Sequence, residues 1–380
     1  MSAEIRDFRV EVAPAVIDDL RARLAATRWT DQIPGSGWDY GTDLEYLRDL
    51  CETWRTSFDW AAQEARFNRW PHAITEIDGQ GVHFIHARSP EPDALPLVIT
   101  HGWPGSVAEF LDVIEPLRDP RAHGGDPADA FHVVCPSMPG YGWSGPTHAS
   151  GWDVRRIAEA WKVLMARLGY ERYGAQGGDW GSMVSSLIGA IDPEHVAGVH
   201  LNMVLGAPPK DAVELSEAEQ ADLAAMGAFM EKGSAYQQIQ GKNPQTLGYG
   251  LNDSPAGLAG WIVEKFYAWT DHDGDLETAV TRDQILTNLT VYWVTGTINS
   301  SVRLYCESQR SGLFPPFEKV TVPVGCALFP RELLKMPRPW AEQLYNVTRW
   351  TRFDRGGHFA ALEEPDLLVD DVRAFFRDLR

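Results

Sequence analysis

Residues 176–182 read QGGDWGS, with Gly177-Gly178-Asp179-Trp180-Gly181 at the centre. Two glycines flanking a central residue at this spacing form the sharp strand-to-helix turn that lifts a nucleophile clear of a sheet. Here a carboxylate holds the tip, where such turns commonly carry serine. Aspartate is ionised at neutral pH and needs no base to attack. Attack at a saturated carbon produces an alkyl ester on the enzyme, which water must then hydrolyse. That chemistry leaves two main substrate classes, epoxides and alkyl halides, and disfavours a serine-type esterase or protease. The competing reading is a glycine-rich turn in which Asp179 only caps the next helix.

Other stretches supply the remaining parts of such a site. His101-Gly102-Trp103-Pro104-Gly105-Ser106 follows the apolar run LPLVIT. The loop after that strand donates one backbone N–H to an oxyanion hole, and the residue after the nucleophile donates another, which points to Trp103 and Trp180. His358, in the glycine-rich DRGGHFAA near the C-terminus, stands where the general base comes in the order nucleophile, acid, histidine. The acid is expected after the strand Val322–Leu328, at Glu332 of FPREL; Asp354, nearer to His358 in sequence, reads as a structural or surface carboxylate. An opening epoxide develops alkoxide character and calls for phenolic donors, whereas a departing halide needs N–H or aromatic-edge donors. Tyr236 in KGSAYQQIQ and Tyr305 in SSVRLYCES are the candidate phenols. Tyr305 shares a helical face with Ile298 and Val302, so a packed core tyrosine is its alternative reading; Tyr236 has little periodicity around it.

The elements that must position these residues follow from periodicity. Val16, Leu20 and Leu24 after Pro14 predict an amphipathic helix, and residues 1 to about 70 read as helical or irregular. Trp29, Trp38, Trp54, Trp60 and Trp70 in that segment need a surface to pack on, so it is expected to wrap the following domain. A hairpin is predicted around Asp78-Gly79. Buried strands are predicted at 95–100, 131–136, 172–176, 196–201 and 322–328, with a helix over Asp153–Leu168. Alternating strand and helix implies a mostly parallel sheet covered on both faces, hence an α/β architecture. From 207 to about 305 the alternation gives way to helix signatures. Ser216-x-x-Glu219 and Thr281-x-x-Gln284 read as capping boxes, and Leu258, Trp261, Ile262, Lys265, Phe266 and Trp269 share a face.

Composition narrows the partners. The 380 residues carry 34 Lys and Arg against 53 Asp and Glu, a net charge of −19, which argues against nucleic acid or an anionic membrane surface. The four cysteines lie far apart with no C-x-x-C pair, so neither a zinc site nor a disulfide framework is indicated. A polar N-terminus and the lack of a long apolar run lead to the expectation of an unanchored cytoplasmic protein without cofactor or metal. A homodimer is the default expectation.

HGWPGS, PSMPGYGWSG (136–145), GGDWGS, GLNDSPAGLAGWIVEKF (250–266), LTNLTVYWVTGTINSSVRLY (286–305), FPRELL and GGHFAALEEP (356–365) together resemble the microsomal-type epoxide hydrolases, in order and along nearly the whole chain. The resemblance implies an α/β-hydrolase fold with a helical cap and an N-terminal segment. Boundaries are placed at 1–92 for that segment, 93–206 and 311–380 for the core, and 207–310 for the cap. It also implies Asp179 as nucleophile, His358 as base, Glu332 as its orienting acid, Tyr236 and Tyr305 as oxygen-binding phenols, and Trp103 and Trp180 as oxyanion donors. The substrate would be a small epoxide, apolar or aromatic, in detoxification or natural-product biosynthesis such as an enediyne pathway. The hydrophobic N-terminal anchor of some family members is not expected here, so a membrane-bound location is not carried over from the resemblance. A haloalkane dehalogenase is the nearest rival, and a non-catalytic hydrolase-like binding protein is a more distant one.

Overall fold

The apolar runs form one nine-stranded sheet in a computed structural model that describes residues 4–312 and 318–380. Its strands are β1 (Ile5–Phe8), β2 (His72–Ile77), β3 (Gln80–Ala87), β4 (Leu95–Thr100), β5 (Phe131–Pro136), β6 (Tyr173–Gly177), β7 (Val196–Leu201), β8 (Val320–Leu328) and β9 (Tyr345–Arg352). The spatial order is β1-β2-β3-β5-β4-β6-β7-β8-β9. The first three pair antiparallel and β3 meets β5 antiparallel; from β5 to β9 every pairing is parallel. Every residue of β5, β6 and β7 is buried, as expected where helices cover both faces.

Local chemistry sets the boundaries. Ile77 pairs with Gln80, leaving Asp78-Gly79 as a two-residue turn with φ of 52° and 75°, the left-handed pair that Asp-Gly favours in a hairpin. Asp153 caps the helix Val154–Arg167 by accepting from the Arg156 N–H at 2.9 Å. Both expected capping boxes form, at Ser216/Glu219 and Thr281/Gln284.

Between β7 and β8 the chain runs through a series of helices from Glu217–Lys232 to Ile298–Ser311, which is the expected insertion. The N-terminal segment differs from its expected form in two ways. It contributes β1 to the sheet, a short and mostly exposed edge strand whose side chains show no alternation to read. It also packs against the inserted helices: Trp54 is 2% exposed and its Nε1 donates to Thr290 Oγ1 at 2.9 Å, while Trp38 stacks on Tyr267 with centroids 3.8 Å apart. The tryptophans therefore fasten the first segment to the inserted helices. Among the described residues, no helix is long and apolar enough to cross a membrane.

Candidate active site

Strands β4 and β6 are parallel neighbours, with Thr100 opposite Gly177, so the loops leaving their C-terminal ends emerge side by side. That register brings HGW and GGDWG together. The helix Asp179–Ile191 starts directly after β6, and Asp179 itself has φ 49°, a strained conformation for a residue with a side chain. Gly181 makes the turn possible: a Cβ there would collide with the Thr100 carbonyl. The helix cap is Gly178, without a side-chain capping bond. Asp179 thus points away from its own helix and across to the neighbouring loop, where its Oδ1 accepts the Trp103 backbone N–H at 2.7 Å. The capping reading of Asp179 does not describe this turn.

The opposite wall comes from β8 and β9. Their parallel pairing continues as a bridge between Arg331 and Gly357, which sets the two following loops against each other. Across that junction His358 Nδ1 lies 2.8 Å from Glu332 Oε1, and its Nε2 lies 3.4 Å from Asp179 Oδ2. Glu332 Oε1 also accepts the Leu333 N–H at 2.6 Å. The Glu332 side chain is 1% exposed, whereas Asp354 is 92% exposed and pairs with Arg355. Space therefore selects Glu332 as the carboxylate beside His358. Burial alone would depress the imidazole pKa, but the Glu332 and Asp179 carboxylates outweigh it and hold His358 well above its ordinary range.

Inserted helices close the site from above. Tyr236, from the helix Ala235–Lys242, and Tyr305, from Ile298–Ser311, are each 4% exposed, with ring centroids 5.8 Å apart. Burial, and then other nearby groups including the charge of Asp179, raises both phenol pKa values, so both hydroxyls stay protonated and can donate. Tyr236 stacks on Trp103, and Tyr305 sits edge-on to Trp103 and Trp180. The Trp180 side chain donates a hydrogen bond to Tyr305, so this residue contributes its ring as well as its place after the nucleophile.

Three further residues enter the site that the sequence reading did not assign to it. The Trp269 carbonyl accepts the backbone N–H of His358 at 3.0 Å, and its ring meets the imidazole edge-on at 5.1 Å. Lys265, 3% exposed and paired with Glu264, places its ammonium 4.8 Å from the Tyr236 ring centroid. Both lie on the helical face that periodicity predicts, where Lys265, the one charged residue among the six, is the signal that could have singled it out. Glu109 lines a small chamber with Asp179 and His358; its Ser-x-x-Glu spacing from Ser106 reads as an ordinary cap. Among the described residues, no group of three or more His, Cys, Asp or Glu is placed to hold a metal ion.

Parallel sheet, carboxylate at the elbow and inserted helices above it define an α/β-hydrolase with a helical cap. Residues 5–110 match the family model described as epoxide hydrolase N terminus, and residues 96–239 match that of the alpha/beta hydrolase fold. A protein of Stigmatella aurantiaca assigned as an epoxide hydrolase is 48% identical over 99% of this chain and 86% of its own. Epoxide hydrolase 1 of Sus scrofa is 38% identical, covering 98% of this chain and 88% of its own. The crystal structure of juvenile hormone epoxide hydrolase from the silkworm Bombyx mori matches with a TM-score of 0.92 at 31% identity, over 100% of this chain and 95% of that one. The chain belongs to the epoxide hydrolase family and is an epoxide hydrolase.

Proposed function

We propose that the enzyme opens its epoxide through an ester on Asp179. The observation that carries this reading is the position of that carboxylate: Oδ1 is held by the Trp103 N–H at 2.7 Å while Oδ2 faces the base. Oδ2 attacks an epoxide carbon, the ring C–O bond breaks, and the new alkoxide takes a proton from the phenols of Tyr236 and Tyr305. His358, oriented by Glu332, then removes a proton from water as its oxygen bonds to Cγ of Asp179. Oδ1 becomes the oxyanion while already beside its donor, with the Trp180 N–H as the second donor. Collapse breaks the ester bond as His358 passes its proton to the leaving alkyl oxygen; the second water proton, left on the Asp179 carboxyl, restores the phenolate, and a vicinal diol is released. A donor kept in place from ground state to oxyanion needs no reorganisation, which is the condition for electrostatic catalysis.

A single turnover in ¹⁸O water tests this sequence. The diol of the first turnover is expected to be unlabelled, since its new oxygen comes from Asp179, and the label is expected in the Asp179 carboxylate. Label in the first-turnover diol would mean direct attack by water and would end the ester reading. The phenols are tested separately: Tyr236→Phe/Tyr305→Phe removes both proton donors and is expected to lower the alkylation rate by roughly 10²–10⁴-fold. Unchanged alkylation in that double variant would remove them from the mechanism.

The substrate we infer is apolar, with aromatic epoxides well suited. Trp103, Trp180 and Trp269 supply the faces and edges around the nucleophile. A groove of about 780 Å³, whose lining includes Trp38, Phe229 and Tyr267, borders the site at Trp269 and Glu332. We place the enzyme in the cytoplasm, consistent with four buried cysteines that form no disulfide.

A further inference from the structure

A small chamber lies beside the nucleophile, its lining formed in part by Asp179, His358, Glu109, Asn202 and Phe359; neither Tyr236 nor Tyr305 is among its described walls. Its volume of about 20 Å³ suits one water and excludes an epoxide. The chamber therefore serves the second half of the reaction, not the first.

Glu109 reaches it from the short turn Val107–Phe110, which follows the HGWPGS loop. Its carboxyl folds back over Gly105 so closely that a Cβ on that glycine would fall on Oε1, and the Ser106 backbone N–H donates to it. The side chain is thus fixed in place. Burial pushes its acid up to about 8, with His358 lowering it and the charge of Asp179 raising it, so it is within electrostatic reach of both. Capping alone accounts for the Ser106 bond. It does not account for a carboxyl facing a water-sized chamber that it shares with the nucleophile and the base.

We propose that Glu109 is the positioning residue for the hydrolytic water. The proposal rests on the ester reading above. The water gives one hydrogen to Nε2 of His358 and the other to a Glu109 carboxyl oxygen, which turns a lone pair toward Cγ of the Asp179 ester. The bond from water oxygen to Cγ forms and the bond from Cγ to the alkyl oxygen breaks. The proton taken by His358 passes to the departing alkoxide, and Glu109 neither gains nor loses one. Esterification removes the charge of Asp179, and with it a repulsion on Glu109, so the carboxyl becomes a better acceptor in the state that must hold the water.

Acid-quenched single turnovers with styrene oxide, read by intact mass, follow formation and decay of the ester. Glu109→Met is expected to prolong the ester about 10²-fold, the cost of a misplaced reactant, while alkylation keeps the wild-type rate. Glu109→Gln keeps an acceptor oxygen and is expected to restore the lifetime to near the wild-type value. If Glu109→Met does not fold, Glu109→Asp decides, because it withdraws the carboxyl by one methylene and should show the same selective slowing. Ester decay at the wild-type rate in the apolar variant, with ester accumulating in His358→Gln, would overturn the role of Glu109 and leave the ester mechanism standing. Equal slowing of both steps would also overturn it, as that is the mark of a structural cap. Absence of any trapped ester in His358→Gln would instead remove the ester mechanism, and this proposal with it.

Discussion

Asp179→Ala is expected to lose turnover by about 10⁶-fold, the scale seen when a covalent nucleophile is removed from an otherwise intact site. The loss falls on alkylation, because among the described residues no other carboxylate is placed to replace Oδ2. Glu332 has its Oε1 committed to His358 and the Leu333 N–H. Glu109 lines a chamber too small to admit an epoxide. Intact mass after mixing with excess epoxide should show no adduct on the variant. The substitution leaves the turn strained, because the flanking backbone still imposes a φ near 49°, which alanine tolerates less readily than aspartate. Diol formation at the wild-type rate would show that the carboxylate is not the nucleophile.

His358→Gln is expected to separate the two halves of the reaction. Alkylation needs no base and should survive, while hydrolysis of the ester falls by roughly 10²–10⁴-fold and the adduct accumulates. The pH dependence has a defined sign. In the free enzyme both Glu332 and Asp179 raise the imidazole pKa, so His358 is held protonated well above its ordinary range. Esterification neutralises Asp179 and leaves only one of these carboxylates. The pKa must then fall, which makes His358 a competent base when a base is required. Ester decay should therefore slow as pH drops through a pKa lower than the one that NMR titration finds for His358 in the free enzyme. The reverse order of the two values would contradict a base tuned by its own nucleophile.

The sequence made the chain of the reaction legible where chemistry depends on backbone pattern. QGGDWGS requires a turn with glycines on both sides, and the structure has it, with Asp179 at positive φ and Gly181 against the Thr100 carbonyl. Strands β5 and β7 were legible because both their faces are buried, which leaves mostly apolar runs, while β6, Tyr-Gly-Ala-Gln-Gly, was placed by the elbow that follows it. The two capping boxes were legible because the motif is entirely local. Strand β1 was not, because a short exposed edge carries no pattern; its hydrogen bonds come from β2, far along the chain.

What the sequence alone made legible is the family: an aspartate at the elbow, a histidine late in the chain and tyrosines in an inserted helical segment stand in blocks that keep one order along nearly the whole chain. Strand order pointed to Glu332 over the nearer Asp354, and the tertiary structure supplied what order cannot: a buried carboxylate 2.8 Å from His358 against an exposed one. It also gave Trp269, Lys265 and Glu109 their places beside the base, the phenol and the chamber. Trp269 fits a core helix and Glu109 a cap, Lys265 alone stands out on its apolar face, and a side chain's role there depends on what distant strands and helices bring within a few ångströms of it.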